Sequence, residues 1–139
     1  MTKKKWIGKF GYSFEENHEF ISFEIEADYS DGSFEGSVFE DEFSNVTSEL
    51  IHVKGFIDAE MISFVKTYPF YYSIDEKGFT IIDKTIRGHK VIYQGHFNKE
   101  DETWNGEWEI IHSEEKISFG VYKTNSLIGP WKMKLQESI

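Results

Sequence analysis

Six polar side chains occupy strand positions whose neighbours on the same face are apolar. Residues i and i+2 of a β-strand share a face, so Lys66 and Tyr68 share one with Ile62 and Phe64. The full set is Tyr12, Lys66, Tyr68, Asp83, Arg87 and Tyr93. Inside a closed sheet an unpaired charge is costly. Each of these groups is therefore expected either to pair with another inward group or to contact a ligand.

Two hypotheses about this set stay open. A lysine and an arginine at a barrel mouth, with tyrosines below them, suit a small anionic amphiphile such as a carboxylate-bearing lipid or aromatic acid. The alternative is an internal ion pair of Asp83 with Arg87 or Lys66, with the tyrosine hydroxyls bonded to backbone. The predicted ligand-binding residues are Tyr12, Lys66, Tyr68, Arg87, Tyr93 and Trp108. The four tryptophans line a pocket or, in the other interpretation, fill the core.

Other kinds of site have little support in the sequence. The chain has no cysteine, which excludes disulfides and thiolate catalysis. Its five histidines show no metal-binding spacing, and no phosphate loop, nucleophile elbow or serine triad pattern is present. The acidic runs 40–42 and 100–102 are predicted to be solvated turns. No catalytic residue, metal or cofactor is assigned.

The 139 residues are expected to form one domain, 1–139, with a net charge of −10. An acidic surface repels phosphate backbones and anionic lipids, so neither nucleic acid nor a membrane is an expected partner. The basic run 3–5 is interpreted as a solvated tail. The start of the sequence lacks an apolar leader and no apolar run reaches membrane-spanning length, so a cytoplasmic location is expected.

The elements that must position these residues are strands. About eight to ten segments alternate apolar and polar residues, with turn residues between them. The first strand is predicted to run from Trp6 to Phe14, and Met61–Tyr68 is favoured as a strand over a helical turn. Phe79–Arg87 and Lys90–Phe97 are predicted to be two further strands, and a turn is predicted over 112–115.

A repeated glycine–x–aromatic unit accompanies these strands. Six of the eleven glycines are followed two residues later by Phe, Tyr or Trp, where an aromatic content of 17% gives about two by chance. Each glycine leaves a gap on the face where its aromatic neighbour projects. So many amphipathic strands must close or stack. Short sequential turns favour an all-β, up-and-down antiparallel β-barrel of about eight strands.

This rhythm resembles the calycin group of lipocalin-like barrels, and within it the avidin and streptavidin family. The units that carry the resemblance are Trp6–Phe10, Asp31–Gly36, Val53–Phe56, Tyr93–Phe97 and Trp104–Trp108. The resemblance implies an eight-stranded barrel with a ligand pocket at one open end. It does not carry over biotin binding, because the polar residues that bind biotin in that family have no counterpart here. The segment Met61–Asp83 also departs from the spacing of the family.

Three functions follow from these observations. The leading one is a barrel that binds a small apolar or amphipathic ligand without transforming it. The second is a barrel enzyme, an isomerase or lyase using Tyr, Lys and Arg. The third is a protein-interaction module with a filled barrel and no ligand. Phe39 and Phe56, both on outward-facing positions, also suggest a homo-oligomer.

Overall fold

The computed structural model describes residues 2–12, 14, 20–41, 44, 49–74, 76–77, 80–83, 88, 90–118 and 121–136. Within them, 71–74, 80–83, 111–118 and 121–127 are described by their backbone. The strands are β1 (Thr2–Gly11), β2 (Phe20–Ser30), β3 (Ser33–Glu40), β4 (Ile51–Asp58), β5 (Met61–Thr67), β6 (Tyr71–Ile74), β7 (Thr80–Asp83), β8 (Lys90–Asn98), β9 (Thr103–Ser118) and β10 (Val121–Leu135).

Eight of these strands form a closed antiparallel barrel in the order β1-β10-β9-β8-β5-β4-β3-β2. Strands adjacent in the chain are adjacent in the barrel, except that the β6–β7 hairpin is inserted between β5 and β8 as a separate two-stranded sheet. No helix occurs in the part of the chain that the structure describes. The prediction of an all-β, up-and-down barrel of eight strands is confirmed.

The two ends of the barrel differ in their connections. At the hairpin end, tight turns join β2 to β3, β4 to β5 and β8 to β9. Asp31 and Gly32 have φ angles of 49° and 83°, the pair of positive values that a two-residue turn needs to match the twist of its strands. At the loop end lie the longer connections, from β1 to β2, β3 to β4 and β5 to β8. β9 and β10 also extend past the loop end as a two-stranded arm, since β9 pairs with β8 only up to Glu109.

Aromatic side chains from all parts of the barrel meet in its interior. Alternate residues of each strand point inward, and in the hairpin half Trp6, Phe34, Phe64 and Trp131 are buried against one another. The four tryptophans are therefore core residues, as the second interpretation of them predicted. The buried set is completed by Phe10, Phe23, Ile25, Ala27, Val38, Ile51, Val53, Ile62, Tyr68, Phe70, Val91, Tyr93, Trp104, Trp108 and Met133.

The gaps left by glycines are filled from the neighbouring strand rather than from their own. A methyl group at Gly8 would lie 2.6 Å from the Phe23 ring, and one at Gly129 would lie 2.6 Å from the Trp108 ring. In each case the ring belongs to the residue directly opposite in the register. At these two units, therefore, one strand lacks a side chain where a ring of the neighbouring strand lies over its backbone.

Two predicted boundaries were wrong, and a predicted barrel strand lies elsewhere. Of the segment 79–87, predicted to be a strand, the structure describes Thr80–Asp83 as β7, which pairs with β6 outside the barrel; residues 79 and 84–87 lie outside the described residues. No turn occurs over 112–115, because β10 continues to pair with these polar residues and satisfies their backbone groups. β1 ends at Gly11, so Tyr12 and Phe14 are exposed by 44% and 55% instead of pointing inward.

Candidate functional site

A group of four polar side chains lies buried in the loop half of the barrel. Glu40 is the last residue of β3, Lys66 projects inward from β5, Tyr68 follows β5 directly, and Tyr93 projects inward from β8. Glu40 and Lys66 are 0% exposed, Tyr93 1% and Tyr68 4%. We call these four residues the Lys66 cluster. Its members come from strands that are distant in sequence, and the pairing of β3, β4, β5 and β8 in one curved sheet brings them together.

Hydrogen bonds connect the whole cluster. The Lys66 ammonium donates to Glu40 Oε2 at 3.0 Å and to the Tyr93 hydroxyl oxygen at 3.0 Å. The Tyr68 hydroxyl donates to the Glu40 carboxylate, with its oxygen 2.8 Å from Oε1 and 2.7 Å from Oε2. The Glu40 backbone N–H donates to Ser44 Oγ at 3.0 Å, which fixes the chain just as it leaves the barrel. The buried charges are thus paired and held from several directions, as burial requires.

Aromatic rings enclose the ammonium on its remaining sides. Lys66 Nζ lies 3.7 Å from the centre of the Phe23 ring, 4.4 Å from that of Tyr93 and 4.9 Å from that of Phe10. Ring faces attract a cation, and more strongly where water is excluded. The Lys66 cluster therefore consists of an ion pair inside an apolar box, with rings contributed by β1, β2 and β8.

Burial shifts the acid–base properties of the cluster. Desolvation lowers the pKa of Lys66, and the nearby Glu40 carboxylate opposes that shift by favouring the ammonium. Desolvation also raises the pKa of Tyr93 well above its ordinary value, with the Glu40 charge adding to the effect. Tyr93 is therefore a neutral hydroxyl throughout the physiological range.

Two hydrogens of the cluster have no acceptor among the described residues. A lysine ammonium carries three N–H groups, and Lys66 directs two of them at Glu40 and Tyr93. The third meets only ring faces. The Tyr93 oxygen accepts from Lys66, and its own O–H has no protein acceptor within the described chain. Lys66 Nζ and the Tyr93 oxygen are 3.0 Å apart, so both groups can donate hydrogen bonds to the same oxygen atom of a ligand.

Trp108 and Tyr12 lie beside this half of the barrel. The Trp108 indole N–H donates to the Gly11 carbonyl oxygen at 2.8 Å, which ties β9 to the end of β1. The Tyr12 ring packs edge-to-face against Trp108, with 5.8 Å between ring centres, and against Phe10 at 5.7 Å. Tyr12 is thus a partly exposed residue of the mouth.

The structure brings together three of the six predicted ligand-binding residues, Lys66, Tyr68 and Tyr93. Trp108 is buried beside them, Tyr12 lies at the mouth, and Arg87 is outside the described residues. The predicted ion pair exists for Lys66, but its partner is Glu40 and not Asp83, whose strand lies outside the barrel.

Glu40 was missed because it opens an acidic run and was interpreted as part of a solvated loop. The alternation of β3 does contain the signal that was needed. Phe34 and Val38 point inward, and Glu40 is the next residue but one on the same face. An acid that continues an apolar face is, like Lys66, predicted to point into the barrel.

The other concave surfaces formed by described residues lie on the outside of the barrel. One of about 1020 Å³ follows β3, β4 and β5 between side chains that include Glu35, His52 and Phe56. Two smaller ones, of about 320 and 330 Å³, border β1–β3 and β8–β10. Within the described chain no three His, Asp or Glu residues are grouped to hold a metal ion, and no helix could span a membrane.

The fold and the cluster define the protein as a small closed β-barrel with an ion pair buried in its loop half. Compared with protein-family models, with curated proteins and with solved structures, the chain matches none.

Proposed function

We propose that the barrel binds a small, mainly apolar ligand through one oxygen acceptor, which lies against Lys66 and Tyr93 in the loop half. The observation that carries this proposal is the pair of remaining hydrogens, one on Lys66 Nζ and one on the Tyr93 hydroxyl, that have no acceptor in the described chain. Each of the two groups already forms at least one hydrogen bond, and a ligand oxygen that accepted from both would add about 0.5–1.5 kcal/mol per bond. The rings of Phe10, Phe23 and Trp108 supply apolar contact for the rest of the ligand.

The charge of the cluster favours a neutral acceptor over an anion. Glu40 already balances the charge of Lys66 at 3.0 Å. A bound carboxylate would leave one uncompensated negative charge in an apolar box, which is costly. A ketone or aldehyde oxygen accepts two hydrogen bonds without adding charge. Of the apolar or amphipathic ligands expected from the sequence, this favours a carbonyl compound with an apolar body over an anionic one.

Tryptophan fluorescence titrations with three probes of equal ring size test the proposal. 2-Acetylnaphthalene has the carbonyl, 2-ethylnaphthalene lacks it and 2-naphthoate carries a charge. The ketone is expected to bind about tenfold more tightly than the hydrocarbon, the value of one net hydrogen bond, and more tightly than the carboxylate. Tyr93→Phe keeps the ring and should abolish most of the preference. Tyr29→Phe, near the hairpin end, is the matched control. Equal affinity for ketone and hydrocarbon would refute the proposal.

The interaction module remains a second candidate because the hairpin half is filled by aromatic side chains and large apolar residues lie outside. Phe39 is 48% exposed and Phe56 is 53% exposed. If these positions hold two copies together, the molecular mass measured by light scattering should fall to that of the monomer in a Phe39→Ser, Phe56→Ser variant. A monomeric mass for the unmodified chain at all micromolar concentrations would exclude this role.

A relation to calycins is part of the same proposal. In that group the ligand enters at one open end of an eight-stranded barrel, and here the loop end is the end that carries the buried polar cluster.

A further inference from the structure

We propose that Lys66 forms a reversible imine with an aldehyde ligand, so that the protein captures a reactive carbonyl compound covalently. This inference rests on the proposed function, because the aldehyde occupies the same place as the neutral ketone. It goes further by making Lys66 Nζ the reacting atom rather than a hydrogen-bond donor alone.

The surroundings of Nζ match what imine formation needs. An amine reacts with a carbonyl carbon only when it is unprotonated, and an apolar environment favours that form of lysine. Lys66 is completely buried, three aromatic rings lie around its nitrogen, and burial lowers its pKa. Among the described residues, the titratable groups bonded to Nζ are Glu40 and Tyr93; Tyr68 is connected to it through Glu40, and Tyr12 acts electrostatically on Tyr93.

Glu40 is placed to carry the proton through the reaction. With its oxygen 3.0 Å from Nζ, the carboxylate accepts one proton from the ammonium and leaves a neutral amine. The nitrogen lone pair then forms a bond to the carbonyl carbon, and a proton moves from nitrogen to the former carbonyl oxygen to give a carbinolamine. The carbon–oxygen bond breaks as that hydroxyl takes the proton from Glu40 and leaves as water. The products are a protonated imine, the Glu40 carboxylate and one water molecule.

The charge of the site is the same before and after this reaction. An ammonium paired with a carboxylate becomes a protonated imine paired with the same carboxylate, and the positive nitrogen stays between the same rings. The Tyr93 hydroxyl, which its raised pKa keeps protonated, can donate to the carbonyl oxygen during attack and so polarise the carbonyl group. No additional charge has to be buried at any stage. The ion pair between Lys66 and Glu40 is thus compatible with the covalent step.

Reductive trapping tests the inference. The folded protein is incubated with less than one equivalent of 6-methoxy-2-naphthaldehyde and cyanoborohydride, and the labelled lysines are identified by peptide mapping. Lys66 should be labelled at least tenfold faster than exposed Lys99. Lys66→Met should remove that fast phase, and Lys99→Met, the matched control, should retain it. The same labelling in urea, where all lysines are accessible, gives the ratio of the Lys66 and Lys99 labelling rates in the unfolded chain as a reference.

The Glu40→Gln variant tests whether Lys66 reacts with the help of Glu40 or is merely buried beside it. It keeps the size of the side chain but cannot carry a proton, so the trapping rate at Lys66 should fall at least tenfold. Labelling of Lys66 no faster than that of Lys99 would overturn the inference. If the ketone preference is present without fast trapping, the imine is refuted and the binding function stands. If both are absent, both proposals fall.

Discussion

Replacing one partner of the buried ion pair should destabilise the barrel far more than replacing both partners together. Lys66 Nζ and Glu40 Oε2 are 3.0 Å apart and both side chains are 0% exposed. With an effective dielectric constant of about 20, their attraction is about 5–6 kcal/mol. Desolvation of the two ions costs several kcal/mol each and offsets most of it. The ion pair as a whole is therefore expected to contribute little to the free energy of unfolding, whereas either buried charge without its partner is expected to lower it strongly.

The expected values follow from that balance. Lys66→Met and Glu40→Gln should each lower the free energy of unfolding by about 3–5 kcal/mol, because each leaves one buried charge without its partner. The double variant should lose less than either single variant, since no unpaired charge remains and Tyr68 can still bond to Gln at position 40. Urea unfolding followed by tryptophan fluorescence measures all four proteins. A domain of this size has about 5–15 kcal/mol of stability, so each single loss is a large and measurable fraction of the total.

Additivity is the result that would refute this reasoning. Residues that do not interact give changes that add to within about 0.5 kcal/mol. If the double variant lost the sum of the two single losses, the contact between Lys66 and Glu40 would not be present in solution. The same cycle on the exposed pair Lys99 and Glu60, 2.7 Å apart, is the control and should give no measurable coupling, because water screens it.

Three further outcomes are expected. Gly95→Ala should cost about 1–3 kcal/mol in urea unfolding, because the added methyl group would lie 2.8 Å from Trp131 and closer still to the Asn105 carbonyl oxygen, whereas exposed Gln94→Ala should have little effect. The pKa of Tyr93 is raised in the folded barrel, so as the pH rises the unfolded chain loses the Tyr93 proton before the folded protein does. The free energy of unfolding should therefore fall as the pH rises above about 10, and this loss should be smaller in Tyr93→Phe. The pKa of Glu35, lowered chiefly by its 2.7 Å hydrogen bond to His52, should return toward its ordinary value in His52→Gln when followed by NMR, and an unchanged value would show that the bond does not form in solution.

Much of the barrel could be predicted because alternation and short turns are local signals. The inward faces of β2, β4 and β8 follow directly from the period of two in residues such as Phe23, Val53 and Tyr93. The place of β6 and β7 could not be predicted this way, because a short strand has the same pattern whether it joins the barrel or a separate hairpin. That choice depends on long-range pairing, in which β5 takes β8 as its partner.

Three of the four residues of the Lys66 cluster could be predicted to face inward, but Glu40 and the connections between the four could not. Lys66, Tyr68 and Tyr93 stand out because they are polar groups on apolar faces. The partner of Lys66 was assigned wrongly because sequence distance says nothing about which strands face one another across a closed barrel. Glu40 lies 26 residues before Lys66, on a strand separated from β5 by β4. The alternation of β3 indicates that Glu40 faces inward, but no local pattern indicates that it meets Lys66.

The most direct measurement is a crystal structure of the protein with 2-acetylnaphthalene bound. The carbonyl oxygen is expected within hydrogen-bonding distance of both Lys66 Nζ and the Tyr93 hydroxyl, with Glu40 still paired to Lys66 and the naphthalene ring against Phe10 and Phe23. A ligand found only in the concavities outside the barrel, with the Lys66 cluster untouched, would contradict binding in the loop half.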